Sequence, residues 1–297
     1  MGTHHHQGGN KLLISIVLNI FITTLQAIGG FVSGSLALLS DALHNFTDVL
    51  SLIISYIAQK LSKKKATPQR TFGYKRADIL AAFINALSLI VISLFLSIEA
   101  IERLQHQPKI DSDLVIALSF FAIIGNGISV ILLEKESKEN INIKSAYIHL
   151  LSDMMASVAV LIGGIVMKNV GLFWIDGVLT ILIAAYLIAI SLQILKKSTE
   201  ILMLFTPKNL SPEEIAAQLL QKFKDIKNIH HLHIWQINET ELHLEAHVDF
   251  KENISLSVFH QTLQKMEAYL KTNYQINHIN IQPEFGGCNE KELIIQD

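Results

Sequence analysis

Two helical-looking stretches each carry a histidine and an aspartate four residues apart: His44 and Asp48 in SDALHNFTDVLSL, and His149 and Asp153 in AYIHLLSDMMASV. Side chains four apart lie on one face of a helix, so each stretch offers an imidazole nitrogen and a carboxylate oxygen side by side. Facing one another, the two pairs make a cage of two nitrogens and two oxygens, the donor set that suits a divalent ion such as zinc. The flanking residues are nearly all apolar, and an ionisable group in hydrocarbon costs roughly 2.5–3.5 kcal/mol even on lenient insertion scales. Four such groups at matched spacing point to an ion that crosses the membrane. Interhelical hydrogen bonds are the bland alternative, but asparagine or serine would supply those without the charge. Asp41, one turn before His44, is placed either to orient the His44 imidazole or to stand on the ion's path. A role at the helix start is its structural alternative.

The elements that hold these residues are legible in composition. Of 297 residues, 50% are hydrophobic and 17% charged, too apolar a balance for an ordinary soluble chain. Apolar stretches recur near 12–32, 36–58, 78–98, 113–133, 145–167 and 174–195. Each has the roughly 20 residues that cross about 30 Å of hydrocarbon as a helix. The prediction is an α-helical membrane protein with a six-transmembrane-helix bundle. The first stretch is too long for a secretory signal and lacks a separate cleavage site. Lys60, Lys63, Lys64, Lys65, Arg70, Lys75 and Arg76 crowd the connection after the second stretch, and Lys196 and Lys197 end the sixth; the intervening loops around 33–35, 102–113 and 168–173 hold only Arg103, Lys109 and Lys168. Positive residues mark the inner side, so both termini are expected in the cytoplasm. A net charge of −2 argues against a nucleic-acid partner. Asn19, Gln26, Asn45, Asn85 and Asn126 read as hydrogen bonders between helices, Asp176 as a structural acid, and Gly29, Gly30, Gly163 and Gly164 as sites of close helix approach.

From Thr206 the pattern changes. The expected organisation is a tail over 1–10, a membrane domain over 11–200 and a soluble domain over 207–297. SPEEIAAQLLQKFKD starts a helix, with Ser211 as N-cap, Pro212 at the first position and Glu214 three residues on. IHHLHIWQI and ELHLEAHVDF read as strands joined through Asn238 to Thr240, then comes a helix over about 256–273, then the strand HINIQPEF. That order implies a small two-layer α/β domain. His230, His247 and His278 fall on three different strands or their edges, and Glu284 follows on the last. His231 and His233 alternate with apolar residues, so His233 reads equally as a packed core residue or a ligand. The single cysteine, Cys288, cannot form an internal disulfide, which fits a reducing cytoplasm.

GSLALLSDALHNFTD, RTFGYKRADILAAFINA, HLLSDMMASVAVLIGG and HLHIW, in that order, resemble the cation diffusion facilitator family in its zinc-transporter branch. The resemblance covers nearly the whole chain. It implies a homodimer whose six-helix domains exchange metal for protons, with a ferredoxin-like, metallochaperone-shaped cytoplasmic domain. It places the transport site at His44, Asp48, His149 and Asp153, and a histidine at the first of these looks like the zinc-preferring members. His230, His247, His278 and Glu284 match positions that bind zinc between or beneath paired cytoplasmic domains, with Cys288 placed to complete that site; ordinary surface histidines are the alternative. Two departures stand out. Lys75 replaces a loop histidine common in the branch, so no interfacial loop site is expected, and EKESKENINIK lacks a histidine-rich tract. The three histidines of MGTHHHQGG are given no essential role.

The implied activity is proton-coupled export of a divalent metal by alternating access, with zinc the transported substrate, cadmium and cobalt the nearest alternatives, and a bacterial cytoplasmic membrane the location. Zinc with two carboxylates and two neutral imidazoles is close to neutral, which makes the loaded cage tolerable in a low dielectric. Without metal the carboxylates repel, so protons take its place on the same atoms. An enzyme is not expected: a membrane metallohydrolase would need an open coordination position and a nearby general acid or base, and the stretches supply neither. A membrane metal sensor would leave the buried quartet unexplained.

Overall fold

Helix-forming, strongly apolar sequence fills the first two thirds of the chain, and the computed structural model folds it into six long helices. They are α1 (His5–Ser33), α2 (Leu36–Ser62), α3 (Ala77–Gln105), α4 (Ser112–Ser137), α5 (Ile141–Val170) and α6 (Trp174–Leu202). Residues 5–62, 64–137, 141–286 and 292–294 are described. Among these, Ala77–Gln105, Ser112–Glu134, Tyr147–Val170 and Trp174–Leu202 are long and apolar enough to cross a membrane, and Val17–Ser33 is a shorter apolar helix. Each helix overruns its apolar stretch, and α1 begins already at His5. Phe31, Phe95, Ile131 and Leu182 are exposed along these helices, as expected where the outer surface meets lipid rather than water.

The chain divides into two compact units, 1–56 with 84–195 and 57–83 with 196–297. Inside the first unit, small residues let backbones meet. A methyl group on Gly30 of α1 would lie 3.0 Å from the backbone of Leu39 in α2, and one on Gly164 of α5 would lie 3.0 Å from Ile116 of α4. Ala37, Leu38, Val115, Val160 and Met167 form a buried apolar cluster around those contacts. The first turn of α2 is held from a distance. Asp176 on α6 accepts hydrogen bonds from the Ser35 hydroxyl at 2.5 Å and the Leu36 N–H at 2.7 Å. A third comes from the Ala37 N–H at 3.3 Å. A carboxylate therefore satisfies donors that the first turn leaves without intrahelical partners. Arg103 on α3 donates to the carbonyl of Gly34, the left-handed residue (φ 74°) between α1 and α2. Asp176 is thus structural, as its position at a span start suggests.

The second unit carries α7 (Pro212–Lys222), β1 (Ile226–Gln236), β2 (Leu242–Phe250), α8 (Leu256–Tyr274) and β3 (His278–Glu284). Ser211 caps α7 by accepting the Glu214 N–H at 3.2 Å, with Pro212 opening the helix. The sheet order is β1-β2-β3, antiparallel between the first two strands and parallel between the last two. The even-numbered residues of β2, Leu242 to Phe250, pack with Ile215 and Leu219 of α7 and Met266 and Leu270 of α8 into one core. The odd-numbered residues His243, Glu245, His247 and Asp249 consequently occupy the other face.

The segment between α2 and α3 belongs to this unit. Lys75 forms an ion pair with Glu241 beyond the β1–β2 turn, Phe72 meets the His243 ring edge-on, and Lys197 pairs with Glu239 at 2.6 Å. Lysine at 75 therefore engages the domain through a carboxylate.

Candidate metal centres

His44 on α2 and His149 and Asp153 on α5 come together in the first unit, with one ligand atom of each within 4.8 Å of the others. The Nε2 atom of His44 is 3.7 Å from Oδ1 of Asp153, and Nε2 of His149 is 3.6 Å from Oδ2. Both spacings exceed a hydrogen bond. They approach the edge of a tetrahedron around zinc, where ligands at 2.0–2.1 Å stand about 3.3 Å apart. The Asp153 side chain is 1% exposed, and the two rings meet at 72° with centroids 6.0 Å apart. Asp48 follows His44 by one helical turn; its side chain lies outside the described residues.

A cavity of about 230 Å³ opens beside this cluster, lined by Asp41, His44 and Asp153 with Leu179, Ile183 and Leu187. Asp41 is buried five residues inside α2, so it has no helix-start role. Its Oδ2 accepts from Gln26 Nε2 at 2.6 Å and from the Ser157 hydroxyl at 3.1 Å, tying α1, α2 and α5 together. Asn45 donates to the Gln26 carbonyl at 3.5 Å. Gln26 and Asn45 are interhelical hydrogen bonders, as read. Among the described residues, neither amide atom of the buried Asn126 finds a hydrogen-bond partner. Ser157 was invisible from sequence, since a serine in an apolar helix usually returns its hydroxyl to the preceding turn.

In the second unit His230, His247 and Glu284 form another cluster, again with ligand atoms within 4.8 Å. Glu284 reaches His230 Nε2 with one oxygen at 3.2 Å and His247 Nδ1 with the other at 2.9 Å. Antiparallel pairing sets His230 directly opposite His247, and the parallel β3 brings Glu284 beside Asp249. His278 does not join them. It pairs with His243 across β2–β3, with ring centroids 4.4 Å apart, and six residues of strand separate it from Glu284 by roughly 20 Å at about 3.3 Å per residue. Cys288 lies outside the described residues.

His233 also departs from simple alternation. Between the pairs His230↔His247 and His233↔Glu245, β1 advances three residues while β2 advances two, a bulge. His231 within it has φ 50°, a left-handed conformation costing a non-glycine residue about 1–2 kcal/mol. The extra residue leaves Leu232 and Ile234 in the core and turns His233 to the Glu245 face. The Leu232 N–H is taken by the carbonyl of Leu293 at 2.8 Å.

His243 is enclosed by Phe72, Trp235 and His278, with Glu241 Oε1 3.4 Å from its Nε2. Burial, reinforced by nearby His278 and Lys75, holds its pKa below the usual histidine value against the opposing pull of Glu241.

Comparison with known proteins agrees with both clusters' settings. Residues 12–203 match the model of the cation efflux transmembrane domain, and residues 207–285 that of the cation efflux protein, cytoplasmic domain. The cadmium, cobalt and zinc/H(+)-K(+) antiporter of Bacillus subtilis is 36% identical, covering 99% of this chain and 96% of that protein. The metal cation efflux system protein CzcD of Cupriavidus metallidurans is 33% identical over 98% of this chain and 92% of its own. The zinc transporter ZitB of Pectobacterium atrosepticum is 32% identical over 96% and 89%. With family models covering both parts and relatives aligned nearly end to end, the chain belongs to the cation efflux family.

Proposed function

We infer that this protein exports divalent metal, zinc foremost, from the cytoplasm in exchange for protons, through a site made by His44, Asp48, His149 and Asp153. The observation that carries the reading is the approach of His44, His149 and Asp153 to near-tetrahedral spacing inside apolar helices. The names of the relatives support export of zinc and related metals, and that of the Bacillus subtilis protein supports exchange for protons and adds potassium to the counter-ions. In this reading all six long helices cross the membrane, with the membrane domain over 11–200, the ferredoxin-like domain over 207–297, and both termini in the cytoplasm of a bacterial cell. The protein works as a homodimer, and His230, His247 and Glu284 hold a second, resident zinc in the cytoplasmic domain.

The chemistry follows from shared atoms. A metal ion and protons compete for the same imidazole and carboxylate groups, so a site facing the more acidic side releases metal as it takes up protons. Rocking of the bundle then returns protons inward and meets cytoplasmic zinc. Asp41 lies on the wall of the same cavity, where its clamp to Gln26 and Ser157 fixes how α1 and α5 stand about the site.

The test is zinc movement in reconstituted vesicles with an imposed pH difference. Zinc should move against protons and stop when an ionophore collapses the gradient. Zinc flux indifferent to that collapse, with no opposite proton flow, would identify a uniporter or channel instead.

A further inference from the structure

The bulge in β1 does something beyond shaping the His230 cluster. It puts two further histidines on the sheet face away from α7 and α8. The rings of His231 and His233 meet edge-on with centroids 4.9 Å apart, and the other side of His231 stacks on His247 at 4.7 Å. Two imidazoles that bind one ion through nitrogens at 2.0–2.1 Å place their ring centres about 5 Å apart. Glu245 is the cross-strand partner of His233, so their Cβ atoms lie about 5 Å apart on that same face, and a turn of the glutamate side chain is what would bring its carboxylate to the pair.

The geometry points to a second divalent-metal site, made by His231, His233 and Glu245, beside the His230–His247–Glu284 cluster and chemically distinct from it. His247 stands between the two. Its Nδ1 turns to Glu284, while its ring face supports His231. Two imidazoles and one carboxylate suit ions of intermediate softness, such as zinc, cobalt or nickel, and leave a position for water. The left-handed backbone at His231 is the device that makes the site. In an unbulged strand His230 and His231 would point to opposite faces, and only one of them would stand beside His247.

The inference is tested by counting cobalt on the full-length protein in detergent, with the transport cage removed by His44→Ala and Asp153→Ala. Tetrahedral or five-coordinate cobalt reports itself in the visible spectrum, and calorimetry with zinc gives an independent count. Two equivalents per protomer are expected. Adding His231→Gly, which keeps the left-handed backbone, should remove one equivalent, while adding Glu284→Ala instead should remove the other. His233→Ala should reproduce the His231→Gly loss, with the remaining equivalent at His230 and His247 reporting that the sheet is intact. An unchanged count with His231→Gly would overturn the site. Loss of both equivalents would overturn it too, since His231 would then be shaping the first cluster instead of building a second.

Discussion

The membrane cluster and the sheet cluster use the same residue types at different spacings. In the first, Asp153 stands 3.6–3.7 Å from its two histidines, beyond hydrogen-bond length. In the second, Glu284 stands 2.9–3.2 Å from His230 and His247, within it. The difference lies in what fixes each ligand. Strand register locks His230 and His247 opposite one another in one sheet with Glu284 beside both, and among the described residues both His230 nitrogens and Glu284 Oε2 are buried without a hydrogen-bond partner. His44 and Asp153 are on separate helices whose mutual tilt sets their distance. A site divided between movable elements suits a travelling ion, and a site built on one sheet suits a resident one.

The largest effect that separates the two is expected from removing one carboxylate in each. Asp153→Ala should lower zinc flux at least about a hundredfold while leaving a folded dimer, because a charged ligand of the travelling ion is gone. Glu284→Ala should reduce flux only severalfold in the same vesicle assay. Equal losses would erase the distinction between travelling and resident ions. A smaller change is expected from His44→Asp, which exchanges a nitrogen for a hard oxygen. The ratio of cadmium to zinc transport should rise, and an unaltered ratio over a range of metal concentrations would remove His44 from selectivity.

Next comes stability. Zinc at a hundredfold excess over its dissociation constant adds about 2.7 kcal/mol to a fold that binds one ion only when folded. Melting of the full-length protein, followed in its sheet, should shift upward with zinc, and Glu284→Ala should remove the part of that shift contributed by its own ion while leaving the part due to His231 and His233. The smallest effect concerns acid. The folded state holds His243 below its ordinary value, so the unfolded chain binds the proton first as pH falls. Stability tied to His243 is full above the unfolded value of about 6.5 and declines below it, down to the folded value. Hydrogen exchange at β2 should therefore quicken on acidification, and His243→Gln should flatten that response. Glu241, His278 and Lys75 face the same ring, and an acid response unchanged in His243→Gln would move the effect to one of them.

Periodicity made most of the fold legible. Apolar runs placed the long helices, while Ser211, Pro212 and Glu214 placed the start of α7, because these signals are local. The meeting of His44, His149 and Asp153 was legible for the same reason, since each apolar stretch pairs a histidine with an aspartate four residues on. What sequence did not show depended on register. The bulge at His231 is invisible to a two-residue period, so His233 looked as much like core as ligand. His278 looked like a companion of His230 until parallel pairing set it opposite His243. Lys75 carries no local sign that it meets Glu241, 166 residues later in the chain.

The grip of Asp176 on Ser35, Leu36 and Ala37 makes the start of α2 a fulcrum. His44 lies eight residues down the lever, about 12 Å at 1.5 Å per residue, so a tilt of about 10° about that end carries it roughly 2 Å. Metal coordination tolerates errors of only about 0.2 Å. A pivot fixed by three hydrogen bonds thus turns a small angular change into complete loss of a ligand, and leverage, not distortion of the helix, is enough to open the cage.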